Sequence, residues 1–187
     1  MSAPSADGAF WVFAYGSLMW YPGFEPAEAV VAKVHGWHRA MCVLSTVYRG
    51  RPEAPGLVLG LDRGGSCVGM VLRVAAEQVE AVKAALYERE MVTQVYAPTF
   101  IPAVLADGRR VRAWAFPVRR DHVQYAGHLP LDQAAAMIRD GVGNSGRALD
   151  YLANTVDHLR SLGIHDGGLE RLLACARSEE PSAVTGQ

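Results

Sequence analysis

The sequence predicts an α+β fold. Three observations carry that reading. Short aromatic and β-branched runs fill the first half, one segment of helical period interrupts them at 75–90, and the last third is helical throughout. Repeated βαβ units, the mark of a parallel sheet, are not in the pattern. With 187 residues, half of them apolar, the chain can bury one sizeable core. The folded unit is expected over 10–177 as a single domain. Residues 1–9 and 178–187 are mostly small and polar, and are expected to be flexible termini.

The elements follow in order. Phe10 to Tyr15 reads as a strand that stops at Gly16. Ala29 to Leu44 reads as a second, with Gly36 as a place to bend. Leu57–Leu61 and Cys67–Val74 are short apolar runs on either side of DRGGS, which signals a hairpin. In 75–90, Val79, Val82 and Leu86 recur at helical spacing among good helix formers. Thr99–Leu105 and Val111–Val118 flank Asp107-Gly108, a pair suited to a tight hairpin. LDQAAAMIRD reads as a helix stopped by Gly141. Ser145 is placed to N-cap the next helix, which carries Leu149, Leu152, Val156 and Leu159 to a stop at Gly163. Asp166 is placed to cap GLERLLACAR.

Charge and composition exclude several classes of function. Eighteen basic residues stand against nineteen acidic ones, too even a balance for a dedicated nucleic-acid binder. No run of 18 apolar residues exists, so no membrane span is expected. The opening MSAPSADG lacks the basic and apolar regions of a signal peptide, and a cytoplasmic protein is expected. Cys42, Cys67 and Cys175 are widely spaced with no CxxC, which suits a reducing compartment and core positions.

A few segments could carry chemistry. Tyr15-Gly16-Ser17-Leu18 follows directly on an apolar strand, where loop N–H groups can hold a carboxylate or an oxyanion. An ordinary strand-ending turn explains a lone YGS equally well. Glu90 continues the Val79, Val82, Leu86 stripe, so it would be carried into a partly apolar setting that suits general acid–base work. Glu88 falls about 200° around the same helix and should be solvated. An exposed helix-end Glu paired with Arg89, Arg39 or another cation is the plainer account of Glu90.

The other candidates are weaker. GVGNSG at 141–146 has the spacing of a dinucleotide fingerprint but follows a helix, so a helix–loop–helix connector is expected. His35 and His38 would point to opposite faces of a strand, and His122, His128, His158 and His165 form no zinc pattern, so no metal site is expected. None of the cysteines sits in a Gly-rich elbow, which argues against a Cys–His hydrolase. Arg109, Arg110, Arg112, Arg119 and Arg120 cluster around a hairpin. They are expected to be a solvated face offset by nearby acids, with Arg110 and Arg112 on one side as an alternative anion contact.

Four ordered segments together resemble the ChaC family of glutathione-specific γ-glutamylcyclotransferases. These are FAYGSLMWYPGFEP (13–26), GWHRAMCVLSTVYRGRPEAPGLVLGL (36–61) with its R-G-x-P-E-x-P-G core at Arg49–Gly56, REMVTQVYAPTF (89–100) and GNSGRALDYL (143–152). Position 14 is Ala where family members often carry Gly. The resemblance implies a mixed, mostly antiparallel β-barrel of about six strands with packed helices. It implies cleavage of glutathione to 5-oxoproline and cysteinylglycine without metal, ATP or other cofactor. It gives Glu90 as the catalytic residue, and Tyr15, Gly16, Ser17, Leu18, Tyr125 and Tyr151 as substrate-binding.

That reaction suits one carboxylate. The γ-glutamyl α-amine must lose a proton and attack its own δ-carbonyl, and the leaving amine must gain one, so Glu90 can serve as base and then acid. Nucleophile and electrophile are already tethered, which leaves the protein to fold the substrate into a reactive conformer. Ser17 is read as binding rather than nucleophilic, because no neighbouring His or Lys is evident to activate it. Two other readings remain: a cyclotransferase for other γ-glutamyl amino acids or amines, and a non-catalytic module that binds γ-glutamyl or anionic peptides. The sequence leaves the oligomeric state open.

Overall fold

The computed structural model describes residues 8–178. The expectations for 1–7 and 179–187 lie outside the described residues. Two compact units divide the chain: one takes 8–40 and 59–125, the other 41–58 and 126–178.

A closed five-stranded barrel organises the first unit. Its strands are β1 (Phe10–Ala14), β2 (Glu28–Ser45), β3 (Gly56–Val74), β4 (Thr99–Leu105) and β5 (Arg110–Ala115), in the order β1-β3-β2-β4-β5. β1 runs antiparallel to β3 from Phe10 opposite Val74 to Ala14 opposite Met70. β4 and β5 form the hairpin expected around Asp107-Gly108, where Gly108 has φ +89° and its N–H donates to the Leu105 carbonyl at 2.9 Å. A parallel pairing, Trp11 opposite Ala113 and Val12 opposite Trp114, joins β1 to β5 and closes the barrel. A closed sheet has no edge left to pair with another chain. Every residue of β1 is buried, so the strand reads as a continuous apolar run and not as an alternation.

The fold is α+β with a mixed, mostly antiparallel barrel, as expected, but the barrel closes with five strands where the resemblance implied about six. The difference lies in DRGGS. Leu57–Leu61 and Cys67–Val74 do not fold back on each other; both belong to β3, which runs unbroken for 19 residues. Gly64 (φ +104°) and Gly65 (φ +65°) supply a bend inside that strand, so the turn chemistry was real but the chain continues past it. β2 is likewise continuous through Gly36, which has φ +80°.

α1 (Val79–Glu90) follows a short 3-10 turn at Ala76–Gln78 and buries Val82 and Leu86. In the second unit, α2 (Leu131–Asp140), α3 (Ala148–Ser161) and α4 (Gly167–Ser178) pack on one another. Ile138, Leu149, Leu152, Val156, Leu159 and Leu173 lie at their buried faces. Gly163 ends α3 with φ +69°, and Asp166 caps α4 through its Oδ1, which accepts from the Leu169 N–H at 3.2 Å.

Ser145 does not cap α3. That helix begins at Ala148 with Arg147 at its N-cap and no side-chain cap bond. Ser145 instead lies between the two-residue strands β6 (Val142–Gly143) and β7 (Gly146–Arg147), and its N–H donates to the Tyr48 carbonyl at 2.8 Å. The connector and the Arg49–Gly56 segment approach backbone to backbone. A Cβ at Gly141 would stand 2.6 Å from Gly56 Cα, and one at Gly143 would stand 2.6 Å from Gly50 N. These glycines serve close packing, so the GxGxxG spacing has a structural explanation here.

Candidate active site

The turn after β1 and the end of α1 meet in the first unit, and one arginine joins them. Residues Ser17–Met19 form a 3-10 turn in which the Met19 N–H donates to the Gly16 carbonyl at 2.9 Å and the Tyr21 N–H to the Ser17 carbonyl at 2.8 Å. A helical turn leaves its first N–H groups without internal acceptors. Here those groups belong to Ser17 and Leu18, the donors that a substrate carboxylate or oxyanion would need. Gly16 leads into the turn with φ −140° and ψ −135°.

The Tyr15 side chain is structural. Its ring is buried and stacks on Phe13 at 6.4 Å, and its hydroxyl donates to the Phe116 carbonyl at 2.9 Å. Its carbonyl accepts from the buried Arg39, whose guanidinium also donates to the Val68 carbonyl at 2.8 Å. Arg39 thus pins the start of the turn to the barrel wall.

Glu90 is the last residue of α1. Val82 and Leu86 on its stripe are buried, Val79 is half-buried, and Glu88 is exposed, as the helical spacing predicts. The Glu90 side chain retains 18% of its accessible surface. Burial pushes its carboxyl above the usual range, and the charge of Arg89 pulls partly against that rise. The negative end of the helix, where Glu90 sits, also disfavours the ionised form.

Arg89, which the sequence offers as a partner for Glu90, reaches beyond it. Its Nε lies 3.2 Å from Glu90 Oε1, Nη1 donates to the Tyr21 carbonyl at 2.6 Å, and Nη2 donates to Ser17 Oγ at 2.9 Å. The guanidinium also stands over the Tyr21 ring, 5.3 Å from its centroid. With its oxygen accepting from a cation, the Ser17 hydroxyl keeps its own proton to donate, which suits binding and opposes nucleophilic attack. Just beyond Glu90 the chain turns through Gln94, whose φ of +57° is rare for a side-chain-bearing residue.

Tyr125 belongs to another network of the first unit. Its hydroxyl donates to Asp62 Oδ2 at 2.8 Å, and Asp62 Oδ1 accepts from Arg120 Nε and the Arg63 N–H, each at 2.7 Å. Burial alone would raise the Asp62 carboxyl, but the bonds from Arg120, Tyr125 and Arg63 outweigh it and hold the group below its usual range. Asp62 was missed in the sequence because the DRGGS hairpin reading put it in an exposed turn. Tyr151 lies in the second unit on α3, where the Arg49 guanidinium stands 5.4 Å from its ring centroid.

The arginine cluster is engaged by acids. Arg109 bonds Glu28 and Asp107, Arg119 pairs with Asp121, and Arg120 with Asp62, while Arg112 donates to the Phe100 carbonyl. Cys42 and Cys67 are buried and Cys175 is half-buried. Among the described residues no three His, Cys, Asp or Glu gather as metal ligands, and no helix is long and apolar enough to cross a membrane.

A family model described as ChaC-like protein matches residues 10–179. This chain belongs to the ChaC-like family. It is 36% identical over 171 residues to the glutathione-specific gamma-glutamylcyclotransferase of Escherichia coli K12, covering 91% of this chain and 74% of that one. It is 33% identical over 192 residues to glutathione-specific gamma-glutamylcyclotransferase 1 of mouse, covering 95% and 86%. Among solved structures, the yeast gamma-glutamyl cyclotransferase specific to glutathione superposes with a TM-score of 0.84 at 21% identity, covering 91% of this chain and 96% of that one. That superposition establishes the fold shared by this ChaC-like chain and the yeast enzyme.

Proposed function

We propose that this ChaC-like protein is a lyase that cleaves glutathione to 5-oxoproline and cysteinylglycine in the cytoplasm, with 10–177 acting as one domain and Glu90 as its proton carrier. The observation that carries this reading is a mostly buried carboxylate at the end of α1, joined through one guanidinium to a turn with open N–H groups. Family membership and the names of the E. coli and mouse relatives support the substrate.

The steps follow from the groups present. Ionised Glu90 takes a proton from the substrate's α-ammonium, and the freed amine attacks the δ-carbonyl carbon to close a five-membered ring. The N–H groups of Ser17 and Leu18 stabilise the oxyanion of the tetrahedral intermediate. As the intermediate collapses, Glu90 returns that proton to the departing amine of cysteinylglycine. It then carries the second surplus proton of the ring nitrogen to the same amine, leaving a neutral 5-oxoproline nitrogen and a free ammonium. A carboxyl raised by burial is a better match to both transfers than a solvated one. Gly16 allows the close approach of the turn, while Tyr15 holds the turn through its backbone. Tyr125 and Tyr151 are assigned as substrate contacts from the family resemblance, and phenylalanine variants are expected to raise KM.

The test is to incubate the protein with millimolar reduced glutathione and quantify 5-oxoproline and cysteinylglycine. Stoichiometric release is expected from the wild type and from Glu88→Gln, and none from folded Glu90→Gln, which keeps hydrogen bonding but cannot carry a proton. Release from γ-glutamyl-alanine or γ-glutamyl-lysine but not glutathione would keep the mechanism and change the substrate. Turnover by folded Glu90→Gln would remove Glu90 from the mechanism.

A further inference from the structure

We infer that Arg89 is the positioning residue of this site: its planar fork locks the end of α1 to the Ser17–Tyr21 turn and so fixes where the Glu90 carboxylate stands against the substrate-binding N–H groups. The inference rests on the reading of Glu90 as the proton carrier.

The geometry separates this role from the ordinary one of an arginine in a last helical turn. Such a residue usually serves its own helix by meeting the last carbonyls. The bonds of Arg89 run elsewhere, to Tyr21 O and Ser17 Oγ, which lie 68 and 72 residues away in sequence. The end of α1 closes without it, through the Met91 N–H and the Tyr87 carbonyl at 2.9 Å. Two nitrogens of one rigid plane therefore donate to the turn, to a carbonyl and a hydroxyl, while the third pairs with the carboxylate of Glu90 at 3.2 Å. The Tyr21 ring backs that plane. A lysine ammonium is a point charge on a flexible stem and cannot hold all three in one orientation.

Arg89 also supplies the charge that Glu90 feels. The facing turn offers the Ser17 hydroxyl and the Tyr21 phenol but no charged side chain. On β2, Arg39 is committed to the carbonyls of Tyr15 and Val68. On α1 itself, Glu88 points to solvent. Among the described residues, Arg89 is the charged group that opposes the effect of burial on Glu90. Orientation and charge thus reside in one side chain, and two substitutions separate them.

The experiment compares wild type, Arg89→Lys and Arg89→Met by kcat/KM for glutathione across pH, with thermal melting to establish folding. Arg89→Met is expected to lose about 100-fold in kcat/KM at neutral pH, with the acid limb of the profile moved to higher pH because Glu90 loses its opposing cation. Arg89→Lys is expected to leave the acid limb near its wild-type position and lose about tenfold in kcat, because it keeps the charge and loses the fork. Added methylguanidinium should restore part of the activity of Arg89→Met and none of that of Glu90→Gln. A folded Arg89→Met with a wild-type profile overturns the inference and leaves the proposed function standing, provided Glu90→Gln remains inactive. If Arg89→Met does not fold, wild-type kcat in Arg89→Lys overturns it instead. Wild type inert on every γ-glutamyl substrate overturns both the proposed function and this inference.

Discussion

One added methyl group, in Gly69→Ala, tests whether the end of β1 sets the position of the catalytic turn. A Cβ on Gly69 would stand 2.3 Å from the Ala14 carbonyl oxygen and 3.0 and 3.2 Å from two ring carbons of Phe13. The ring has no free space into which to move, since Phe13 is fully buried and stacked on Tyr15. The carbonyl must retreat from 2.3 Å to at least 3.0 Å, and it belongs to the residue that leads directly into Tyr15–Leu18. Overpacking of this kind costs about 1–3 kcal/mol of stability. A turn moved by the better part of an ångström loses about 10–100-fold in kcat/KM, because the N–H groups no longer meet the oxyanion. Urea unfolding and 5-oxoproline release from glutathione measure the two effects. Gly167→Ala, whose new Cβ meets no atom within 4 Å, serves as the control and should leave both unchanged or raise stability slightly. Wild-type kcat/KM in Gly69→Ala would refute the claim that the barrel wall positions the turn.

Two further outcomes concern charge. Asp62→Asn should cost about 1–2 kcal/mol at neutral pH, a modest figure because Arg120 is half exposed and screened. Since the Asp62 carboxyl is held below its usual range, the stabilisation is present above its unfolded pKa and fades as pH falls through the folded one, so the two proteins should converge in acid; a constant gap in urea unfolding would argue against the charged network. Glu90→Gln should melt higher than wild type at neutral pH, because a carboxyl raised in the folded state lowers stability as pH rises through and beyond the unfolded value. Equal melting temperatures from pH 4 to pH 8 would contradict the burial of an ionised Glu90.

Much of this site was legible because it rests on local periodicity. Four-residue spacing placed Glu90 on the same stripe as Leu86 and sent Glu88 to solvent, and both positions hold. The turn at Gly16 follows from an apolar strand meeting a residue without a side chain. What stayed hidden depends on separation along the chain. DRGGS carries every local mark of a hairpin, yet β3 runs through it as one strand lying between β1 and β2 in the barrel, and that long-range placement has no local signature. The same misreading concealed Asp62, whose partner Arg120 is 58 residues away. Ser145 had a suitable side chain for a cap, but its N–H was claimed by Tyr48.

The placement of Arg89 beside Glu90 in sequence resolves a conflict that burial creates. A carboxylate buried enough to have a raised pKa must still be ionised before it can take the first proton. Deeper burial without a cation would leave it protonated at neutral pH, and full exposure would make it too weak a base. An adjacent residue can moderate the burial only if the chain bends the guanidinium back towards the carboxylate. The contacts of Arg89 with Ser17 and Tyr21 hold it there. The group that keeps Glu90 ionisable is thereby also tied to the turn that binds the substrate. Burial raises the proton affinity of Glu90, one side chain both moderates that rise and aligns the site, and a substitution that disturbs either should register in turnover before it registers in folding.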